Sequence, residues 1–516
     1  MAIEVVWFKR DLRVRDHQPL LDATHSGLPV LCLAILEPSR WVQPDVDPIH
    51  IEWELDVMRA LDGSLRRRGT RLTVLVGEAV DVLDSIHQDH GVATIRAHEE
   101  TGVGWSYGRD LGVASWSKQH GIRFEEYPTN GVIRGLIDRD HWSPLRDARI
   151  RKPLLDPPDR IVGIDLGTDI PTVSELGLIA RPLTDRPEPG ELAALNTARS
   201  FLEVRGEPYR WAMSGPVSAA IHASRLGPHL STGSVSIRRL DRMAEDRLRV
   251  LRSQSASGER IHGWIRSILA FRSRLAWHDH FIQKLERQPN LDVVAQNPVL
   301  DAKLDRRLDR QRFEAWSEGR TGWPFFDACM RHLTATGWTS FRMRSMMMAV
   351  ASYTLDLPWR PVGLHLARSF LDYEPGIHWA QVGMQSGTTG INSIRAYGAI
   401  KQGQDHDPEG SFIRTWVPEL TPVPTAHLHE PWLMPSEVQR RIGIHIGADY
   451  PTPIVDEGPA RRDGLTKIHA AKADPEVRQV SEHVARIHGS RAARRRPPPR
   501  PARPHHGQQR LFEPES

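Results

Sequence analysis

Short apolar runs separated by amphipathic stretches make up the first quarter of the chain. Runs of this length that are rich in valine, isoleucine and leucine predict buried strands. Between the second and third runs, apolar residues recur at Ile51, Leu55 and Met58, which is the spacing of a helix. Strands that alternate with helices predict a doubly wound parallel α/β domain, in which a ligand binds beyond the carboxyl ends of the strands. The predicted strands are residues 3–8, 30–36, 71–77, 93–98 and 122–128.

The pattern changes after this region. A stretch rich in proline, aspartate and arginine predicts a long connection over the surface. It is followed by helical spacing with short connections, which predicts an all-α domain. The last part becomes polar, basic and rich in proline. We therefore expect an α/β domain at residues 1–130, an interdomain linker at 131–195, an all-α domain at 196–455 and a disordered tail at 456–516.

Length and composition indicate a soluble globular protein. The 516 residues are enough for two or three domains with sizeable cores. The sequence has no run of about 18 apolar residues that would span a membrane and no charged-then-apolar leader, so we expect a cytoplasmic protein. Cys32 and Cys329 lie in apolar runs, which is typical of buried small hydrophobic residues. Two cysteines also exclude an iron–sulfur cluster held by a single chain.

Charge is informative through its distribution rather than its total. The formal net charge is only +4, but residues 491–503 form a block of arginine, proline and alanine. Such a segment is expected to be disordered. It either adds a sequence-independent contact with nucleic-acid phosphates or is a solvated tail without a role.

Two further patterns suggest ligands only weakly. Gly102, Gly104 and Gly108 follow the fourth predicted strand and precede a helix, as in a dinucleotide site. Their spacing differs from the dinucleotide motif, and no suitable acid ends a following strand. His278 and His280 flank an aspartate, but without a converging cysteine or further acid we expect no metal site.

The stretch at residues 321–403 is the part around which the chain is organised. Pro324 and Gly337 bracket a predicted buried helix, because proline favours a first helical position and glycine a helix end. A second, methionine-rich helix follows and carries Arg344. A buried arginine keeps its charge and needs a carboxylate, and Asp372 is the nearest candidate downstream. The residues alone leave open whether this ion pair is structural or functional.

The order of motifs in this stretch resembles the flavin domain of the cryptochrome/photolyase family. The first motif, TGWPFFDACMRHLTATGW, occupies residues 321–338 and is followed by RMR, LDYE, IRAYGAIKQG and FIRTWVPEL. The opening WFKRDLRVRDHQPL at residues 7–20 resembles the N-terminal motif of the same family. The resemblance covers residues 1–455. It implies an antenna-type α/β domain, with a folate or deazaflavin as a second chromophore, and a helical domain that binds FAD.

The resemblance assigns one segment to the FAD diphosphate. SRLGP at residues 224–228 is similar to the family's SRLSP motif, where backbone N–H groups at a helix start suit phosphates. Gly227 departs from the family serine, which removes a hydroxyl and keeps the N–H. The positions that the resemblance carries over are Tyr209, Ser224, Arg225, Leu226, Gly227 and Pro228.

A second segment is implied to hold the isoalloxazine ring. In the family, an arginine and an aspartate at the positions of Arg344 and Asp372 flank the ring, and a second acid corresponds to Glu374. Tyr373, between the two acids, is also expected to line the cofactor. A fixed guanidinium near the ring favours its anionic reduced state. The family asparagine that faces N5 has no counterpart, so Gly376 or His378 is expected in its place. Of the two, His378 is the expected catalytic residue.

The resemblance also implies a substrate face. Trp277 matches a tryptophan that stacks on an extruded pyrimidine pair, and such stacking contributes about 1–3 kcal/mol per base. A buried helical tryptophan is the alternative interpretation. Three nearby positions differ from the family, which alters the direct substrate contacts: Arg274 replaces a glutamate, Phe341 an asparagine and Ser345 a methionine. The expected DNA-binding residues are Arg225, Trp277, Phe341, Arg342 and Gln402, with Arg342 and Trp277 also named as catalytic.

Family members often pass electrons to the flavin along three tryptophans. Trp359 matches the middle member, and Trp379 is the expected inner member, displaced by one residue; both are expected catalytic residues. Arg306 stands at the outer position, so the usual chain to the surface is broken. The candidates that could replace the outer member are Trp316, Trp323 and Tyr373, each of which can also be a core residue.

The function implied by the resemblance is that of a DNA photolyase. Reduced FAD, excited by blue or near-UV light, would donate an electron to a pyrimidine dimer, which splits and returns it. We expect a cyclobutane dimer, because eukaryotic-type (6-4) photolyases carry histidines where this chain has Phe341 and Ser345. The (6-4) photolyase and a cryptochrome-like blue-light photoreceptor without repair activity remain the alternatives. The expected partner is UV-damaged DNA, bound by a monomer in the cytoplasm, at the nucleoid, with no membrane contact.

Overall fold

The computed structural model describes residues 2–489. The basic block at residues 491–503 lies outside the described residues. Within them, the chain forms an α/β domain, a connecting segment and a large helical domain.

A five-stranded parallel sheet in the order β3-β2-β1-β4-β5 forms the centre of the first domain. β1 lies in the middle of the sheet, with Val6 opposite Cys32 of β2 and Arg96 of β4. The strand order reverses between β1 and β4, which is the point where doubly wound sheets bind ligands. The predicted doubly wound domain is confirmed. The strands are β1 Ile3–Phe8, β2 Val30–Leu36, β3 Leu72–Val76, β4 Val92–His98 and β5 Arg123–Tyr127.

Helices cover both faces of this sheet. The longest begins after Asp47, whose side chain accepts a hydrogen bond from the Ile49 N–H. Its apolar positions Ile51, Leu55 and Met58 are buried against the sheet, as the spacing predicts. The helices of this domain are α1 Gln18–His25, α2 Pro38–Trp41, α3 Pro48–Arg66, α4 Ala79–His90 and α5 Gly104–Gln119.

The connecting segment crosses the surface between the domains and includes a 3-10 turn at Arg139–His141 and α6 at Trp142–Ile150. Trp142 Nε1 donates to the Gly131 carbonyl at 3.0 Å, and Arg146 forms an ion pair with Asp279 at 2.9 Å. The first contact lies within the connecting segment, and the second fixes the segment to the helical domain.

The helical domain packs around a methionine-rich core. Met343, Met346 and Met347 are fully buried on the helix Phe341–Ala349, and the preceding helix begins at Pro324 and ends at Gly337, as predicted. Two π-helical turns lie at Phe201–Arg205 and Val350–Thr354, and 3-10 turns lie at Pro418–Leu420 and Pro431–Leu433. The helices are α7 Glu191–Ser200, α8 Tyr209–Ala212, α9 Pro216–His222, α10 Gly227–Ser231, α11 Ile237–Ala256, α12 Trp264–Arg287, α13 Pro298–Leu304, α14 Arg310–Ser317, α15 Pro324–Thr336, α16 Phe341–Ala349, α17 Trp359–Ser369, α18 Pro375–Ser386, α19 Ala399–His406, α20 Ser411–Trp416, α21 Thr425–Leu428 and α22 Ser436–Ile442.

The prediction of a disordered tail from residue 456 is wrong for its first part. Two helices, α23 Glu457–Ala473 and α24 Pro475–His488, occupy this region. They are held by a few buried apolar side chains, among them Ile468 and Val484, and by Asn297, which donates to the Val477 carbonyl at 3.1 Å. The polar composition hid this narrow apolar face. Residues 490–516 of the predicted tail lie outside the described residues.

Both cysteines are buried and unpaired, as predicted. Burial raises the pKa of the Cys32 thiol to about 12, so the thiol stays protonated and packs as a small apolar group. Among the helices of residues 2–489, none is long and apolar enough to cross a membrane.

Candidate functional site

An ion pair between two segments of the helical domain forms the centre of the candidate site. Arg344 on α16 bonds to Asp372 through two contacts, Nη1 to Oδ1 and Nη2 to Oδ2, each 2.9 Å long. Arg344 Nε also donates to the Thr339 carbonyl at 3.0 Å. The two side chains remain 24% and 12% exposed. The predicted pairing is confirmed, and its geometry is a fixed bidentate pair with an open edge.

Gly227 brings a second segment directly against this pair. A Cβ added at Gly227 would lie 2.3 Å from Asp372 Oδ2 and 2.8 Å from Asp372 Cβ. No side chain fits at that distance unless the carboxylate moves. The glycine therefore replaces the expected serine because Asp372 occupies the space that a serine side chain would need.

The turn at residues 224–227, called the phosphate turn below, presents a row of backbone N–H groups. Within residues 2–489, none of these four groups donates to a protein acceptor. Arg225 has a left-handed φ of 59° and Leu226 a right-handed φ of −88°, an alternation that turns successive N–H groups toward one concave side. Arg205 binds the carbonyls of Ala223 and Ser224 on the other side. The donor set fits an anionic diphosphate.

The Arg225 side chain has a separate set of contacts. Its guanidinium lies 4.2 Å from the Trp338 ring centroid and donates to Asp185 Oδ2 at 2.7 Å. Asp185 belongs to the connecting segment, and its side chain is 60% exposed. A contact of Arg225 with DNA remains a prediction and would compete with the Asp185 carboxylate and the Trp338 ring.

Trp277 lies on α12 with 46% of its surface exposed, so it is not a core residue. The Arg274 guanidinium carbon lies 4.1 Å from its ring centroid and covers part of the ring. Arg274 also acts on buried Tyr209: burial raises the pKa of Tyr209, and the nearby guanidinium opposes that shift. Arg274 thus lies between Tyr209, which is predicted at the phosphate end of the cofactor, and Trp277, which is predicted to stack on bases.

Two buried polar atoms at predicted DNA-contact positions have no hydrogen-bond partner within residues 2–489. They are Arg342 Nε and Gln402 Oε1. A buried polar atom without a partner costs about 1–3 kcal/mol, so such atoms are expected to meet a ligand or water. Phe341 is 48% exposed next to Arg342. Ser345 is buried and donates to the Phe341 carbonyl at 3.0 Å, so its hydroxyl hydrogen is not available to a ligand.

The positions expected to replace the missing asparagine have contacts of their own. Gly376 packs against α12, where an added Cβ would lie 2.5 Å from Ile282 Cα. His378 Nε2 lies 2.8 Å from the Gly363 carbonyl oxygen. Burial lowers the pKa of His378 to about 4, so the ring is neutral and Nε2 carries its proton. Its Nδ1 can then accept a hydrogen bond from a ligand but cannot donate one.

Two predicted cofactor residues contact the α/β domain. Glu374 Oε2 accepts from Arg10 Nη2 at 2.7 Å. Tyr373 donates to Asp45 Oδ2 at 2.6 Å and accepts from Trp379 Nε1 at 2.9 Å. Burial raises the pKa of Tyr373, and the Asp45 carboxylate raises it further. A contact of either side chain with a flavin remains a prediction. It would compete with the bonds of Tyr373, whereas the buried Glu374 Oε1 has no hydrogen-bond partner within residues 2–489 and can accept from a ligand without breaking the Arg10 bond.

The two expected inner tryptophans are neighbours. The rings of Trp359 and Trp379 lie edge to face with centroids 6.0 Å apart. Arg306, at the expected outer position, is buried and donates to the Ser386 carbonyl at 2.9 Å. Tyr373 contacts Trp379 directly, whereas Trp316 donates its indole N–H to the Met347 carbonyl in the core.

Charged side chains of the α/β domain lie at its contact with the helical domain. The interdomain cluster, as it is called below, consists of Arg10, Arg40, Glu54, Glu100 and Arg109. Arg40 holds Glu54 at 2.5 and 2.6 Å, and Arg109 holds Glu100 at 2.7 Å. Burial alone would raise the pKa of Glu100, but Arg109, with Lys9 and Arg10, outweighs burial and lowers it to about 2. Every member of the cluster therefore has an opposite charge beside it.

The cluster borders a cavity of about 70 Å³ at the carboxyl edge of the sheet. Gly102 of the predicted glycine motif also lines this cavity. Sites for small-molecule ligands usually occupy about 300–1,000 Å³. A folate or deazaflavin would fit here only if the surrounding side chains moved apart.

Asp11, His17 and His98 converge beside the same edge and have the spacing of metal ligands. Asp11 Oδ2 lies 2.8 Å from His17 Nε2 and 2.7 Å from His98 Nδ1. His17 Nδ1 accepts from the Leu20 N–H at 3.1 Å, so the ring proton is on Nε2 and faces the carboxylate. A protonated nitrogen cannot ligate a metal ion, and the group is a buried hydrogen-bond network.

Sequence reasoning missed the residues that support the site from a distance. Arg205, which holds the carbonyl side of the phosphate turn, ends a π-helical turn that has no recognisable sequence pattern. Trp53 on α3 donates its indole N–H to the Pro228 carbonyl at 3.0 Å. His50, one helical turn earlier, bonds to the Phe370 carbonyl at 3.0 Å. Only the folded arrangement of the two domains reveals these contacts.

Comparisons with known proteins give matches along most of the chain. A family model described as "DNA photolyase" matches residues 4–134, and one described as "FAD binding domain of DNA photolyase" matches residues 271–470. A cryptochrome DASH of Natronomonas pharaonis is 28% identical over 484 residues, covering 88% of this chain and 98% of the relative. A deoxyribodipyrimidine photo-lyase of Agrobacterium fabrum is also 28% identical, over 490 residues, covering 91% and 98%.

Solved structures show the same overall arrangement. The crystal structure of a bacterial class III photolyase from Agrobacterium tumefaciens superposes with a TM-score of 0.79 at 25% identity, covering 92% of this chain and 98% of the other. The Synechocystis cryptochrome superposes with a TM-score of 0.78 at 23% identity, covering 90% and 99%, which shows a shared fold. Photolyases and cryptochromes are thus equally similar to this chain.

Proposed function

The chain belongs to the cryptochrome/photolyase family, and on that premise we propose that it is an FAD-dependent photolyase that splits cyclobutane pyrimidine dimers in UV-damaged DNA. We further propose that it acts as a monomer in the cytoplasm. The family alone does not distinguish repair from light sensing. The proposal therefore rests on the side chains of the site.

The cofactor would be held by the phosphate turn and by the Arg344–Asp372 pair. Four unused N–H groups of the turn would bind the diphosphate, and the guanidinium and carboxylate would hold the polar edge of the ring. Because Gly227 touches Asp372, a ligand that uses both sets of groups must fold back on itself. When bound, FAD supplies the light absorption and the transferable electron.

The observation that carries the repair proposal is the exposure of Trp277. An indole that is 46% exposed and flanked by the Arg274 guanidinium offers a stacking surface beside a positive charge. Single, unstacked bases bind such surfaces through aromatic stacking, and their phosphates bind nearby cations. The unpaired Arg342 Nε and Gln402 Oε1 would meet polar atoms of the extruded bases.

Electrons would reach the cofactor through Trp379. Trp359 lies 6.0 Å away, so an electron lost by Trp379 can be replaced from that ring. Tyr373, hydrogen-bonded to Trp379, can replace it as well, because Asp45 is placed to take the phenol proton at the same time. We propose Tyr373 and Asp45 as the substitute for the outer tryptophan position, which is occupied by Arg306.

A direct assay tests the proposal. Purified, reduced protein is incubated with oligothymidine that contains cyclobutane dimers, and absorbance near the thymine maximum is followed under blue light and in the dark. Light-dependent recovery of absorbance is expected. A protein that binds FAD but gives no recovery on single- or double-stranded substrate would be assigned to the photoreceptor class instead.

The second candidate is a photoreceptor without repair activity. It is favoured by Phe341, which places a 48% exposed phenyl ring where the family carries an amide, and by the contact of Arg225 with Asp185 instead of an open surface. A third candidate, (6-4) repair, needs a proton donor at the lesion. The buried Ser345 hydroxyl is already donated to a backbone carbonyl. Substrate with a (6-4) lesion belongs in the same assay.

A further inference from the structure

We infer that a basic cavity between α12, α24 and the 3-10 turn at Arg139–His141 binds a phosphate group. The cavity is lined by residues of these three segments and is separate from the proposed flavin site. Its volume is about 130 Å³. A cavity of this volume has room for several water molecules and therefore for a tetrahedral oxyanion.

Lys284 is the residue that indicates an anionic ligand. It lies on α12, is only 5% exposed and lines the cavity. Among residues 2–489, its ammonium group has no carboxylate within ion-pair distance and donates no hydrogen bond. The Phe281 ring centroid lies 5.3 Å from the ammonium nitrogen. A buried ammonium without a counter-charge is costly, so the cavity favours a ligand that supplies negative charge.

The rest of the lining adds to this positive charge. Arg139, Arg287 and Arg486 also border the cavity, and within residues 2–489 Asp138 is the only carboxylate that lines it. The Asp138 oxygens already accept from the Asp140 N–H at 2.8 Å and contact a histidine of the same turn at 3.1 Å. In the described part of the chain, the lining therefore has four cationic side chains and one carboxylate that already has partners.

The neighbouring histidines add no positive charge to the cavity. Burial lowers the pKa of His488 to about 3, with Lys284 and Arg139 next in importance. Burial and the same two cations also lower the pKa of His280 to about 3. Both rings are neutral near pH 7, and His488 Nε2 bonds to Gln288 Oε1 at 3.0 Å. The positive charge of the cavity thus comes from lysine and arginine alone.

Lys284 itself keeps its proton near neutral pH. Burial lowers its pKa to about 8, and Arg139 contributes to the shift. Between pH 8 and the ordinary lysine value of 10.5, the unfolded chain binds more protons than the folded protein. The free energy of unfolding therefore rises with pH in this window for the ligand-free protein. A bound phosphate would restore the proton and remove that rise.

The test is calorimetric titration of the full chain with inorganic phosphate at low ionic strength, with chloride as the other anion. Lys284→Met preserves side-chain length and removes the charge. Lys118→Met, at an exposed position of α5, removes one charge far from the cavity and is the matched control. The dissociation constant is expected to rise at least tenfold in Lys284→Met and to stay unchanged in Lys118→Met. Equal affinity in the two variants, or no binding by the unmodified protein, would overturn the inference.

A second measurement uses the unmodified protein and does not depend on a variant that folds. Phosphate affinity is measured between pH 8 and pH 10, where phosphate stays a dianion. Affinity should fall across this window as Lys284 loses its proton. A constant affinity would mean that phosphate binds somewhere else and would contradict the assignment.

Competition then identifies where the phosphate comes from. Undamaged oligothymidine that displaces inorganic phosphate would indicate a DNA phosphodiester as the natural occupant, and Lys284→Met should then lower the salt dependence of DNA binding by about one ion. Oligothymidine that leaves phosphate in place would indicate a small phosphorylated molecule. Both results support the site. Neither depends on FAD, so the inference and the proposed repair function can fail separately.

Discussion

The interdomain cluster and the proposed flavin site both contain arginine and carboxylate side chains, but they differ in whether their polar groups have protein partners. In the cluster, Arg40, Arg109 and Arg10 each meet a carboxylate at 2.5–2.7 Å. In the flavin site, four backbone N–H groups of the phosphate turn, together with Arg342 Nε at the neighbouring substrate face, have no protein partner within residues 2–489.

This difference distinguishes polar groups that stabilise the fold from polar groups that are expected to bind a ligand. Charges with partners stabilise the fold: Arg40–Glu54 and Arg109–Glu100 do so within the α/β domain, and the Arg10–Glu374 pair joins it to the helical domain. Donors without partners are a cost that only a bound group can offset. The Arg344–Asp372 pair alone would not separate the two cases, because it is a satisfied pair as well. Its position beside the unsatisfied phosphate turn is what marks it as functional.

The largest effect is expected from Asp372→Asn. The change leaves Arg344 without its carboxylate and removes the charge that we assign to the ring edge, so flavin occupancy should fall by at least tenfold. Flavin absorbance per mole of protein after dialysis measures it. Glu54→Gln removes a comparable carboxylate from the interdomain cluster and should leave occupancy unchanged. Equal loss of flavin in both variants would erase the distinction between the two regions.

Glu100→Gln tests the cluster as a purely structural element. The pKa of Glu100 is about 2 in the folded protein, below its ordinary value of 4.5. Its carboxylate therefore stabilises the fold above about pH 4.5, and this contribution of about 1–3 kcal/mol is lost as pH falls toward 2. The variant should show a flatter loss of stability in acid, measured by urea unfolding between pH 3 and pH 7. Glu437→Gln, on exposed α22, should behave like the unmodified protein.

Trp277→Ala should weaken binding of dimer-containing DNA by about 1–3 kcal/mol, because the exposed indole is assigned to base stacking. Trp277→Phe keeps an aromatic face and should recover part of the loss. Fluorescence anisotropy of a labelled oligonucleotide measures both. Unchanged affinity in the alanine variant would remove Trp277 from the substrate face.

Gly227→Ala tests the contact between the phosphate turn and the ion pair. The added methyl group would meet Asp372 at 2.3 Å, so we expect a loss of about 1–3 kcal/mol in the free energy of unfolding, together with weaker flavin binding. Gly108→Ala on α5 meets no atom within 4 Å and should be neutral or stabilising. Denaturant midpoints compare the two. A Gly227→Ala protein as stable as the control would show that the contact can relax.

The smallest structural change, Tyr373→Phe, removes one hydroxyl. Flavin occupancy should stay the same, while the rate of flavin reduction under blue light with an external reductant should fall several-fold, because the phenol can no longer pass its proton to Asp45. Tyr353→Phe is the matched control, since the buried Tyr353 hydroxyl has no hydrogen-bond partner within residues 2–489. An equal rate in the two variants would exclude Tyr373 from the electron route.

Local patterns predicted the parts of the fold that depend on near neighbours. The five strands and the helix between Pro324 and Gly337 follow from apolar runs and from residues that start or end helices. The helices α23 and α24 were missed, because a few buried residues such as Ile468 and Val484 make too narrow a face to stand out in a polar sequence.

The site was predictable only where its residues lie in recognisable motifs. Arg344 and Asp372 are 28 positions apart and could be paired by chemical need. Arg10 and Glu374 are 364 positions apart, and Asp45 and Tyr373 are 328 apart. No rule of spacing connects residues at such distances, because the docking of two domains brings them together.

The hydrogen bonds from α3 to the Pro228 and Phe370 carbonyls give the α/β domain a direct part in shaping the cofactor pocket. One bond holds the chain just after the phosphate turn, and the other holds it two residues before Asp372. The helical half, produced without its N-terminal partner, would lose both restraints at once. Engineering that exchanges one domain between relatives must therefore carry Trp53 and His50 along with the new half.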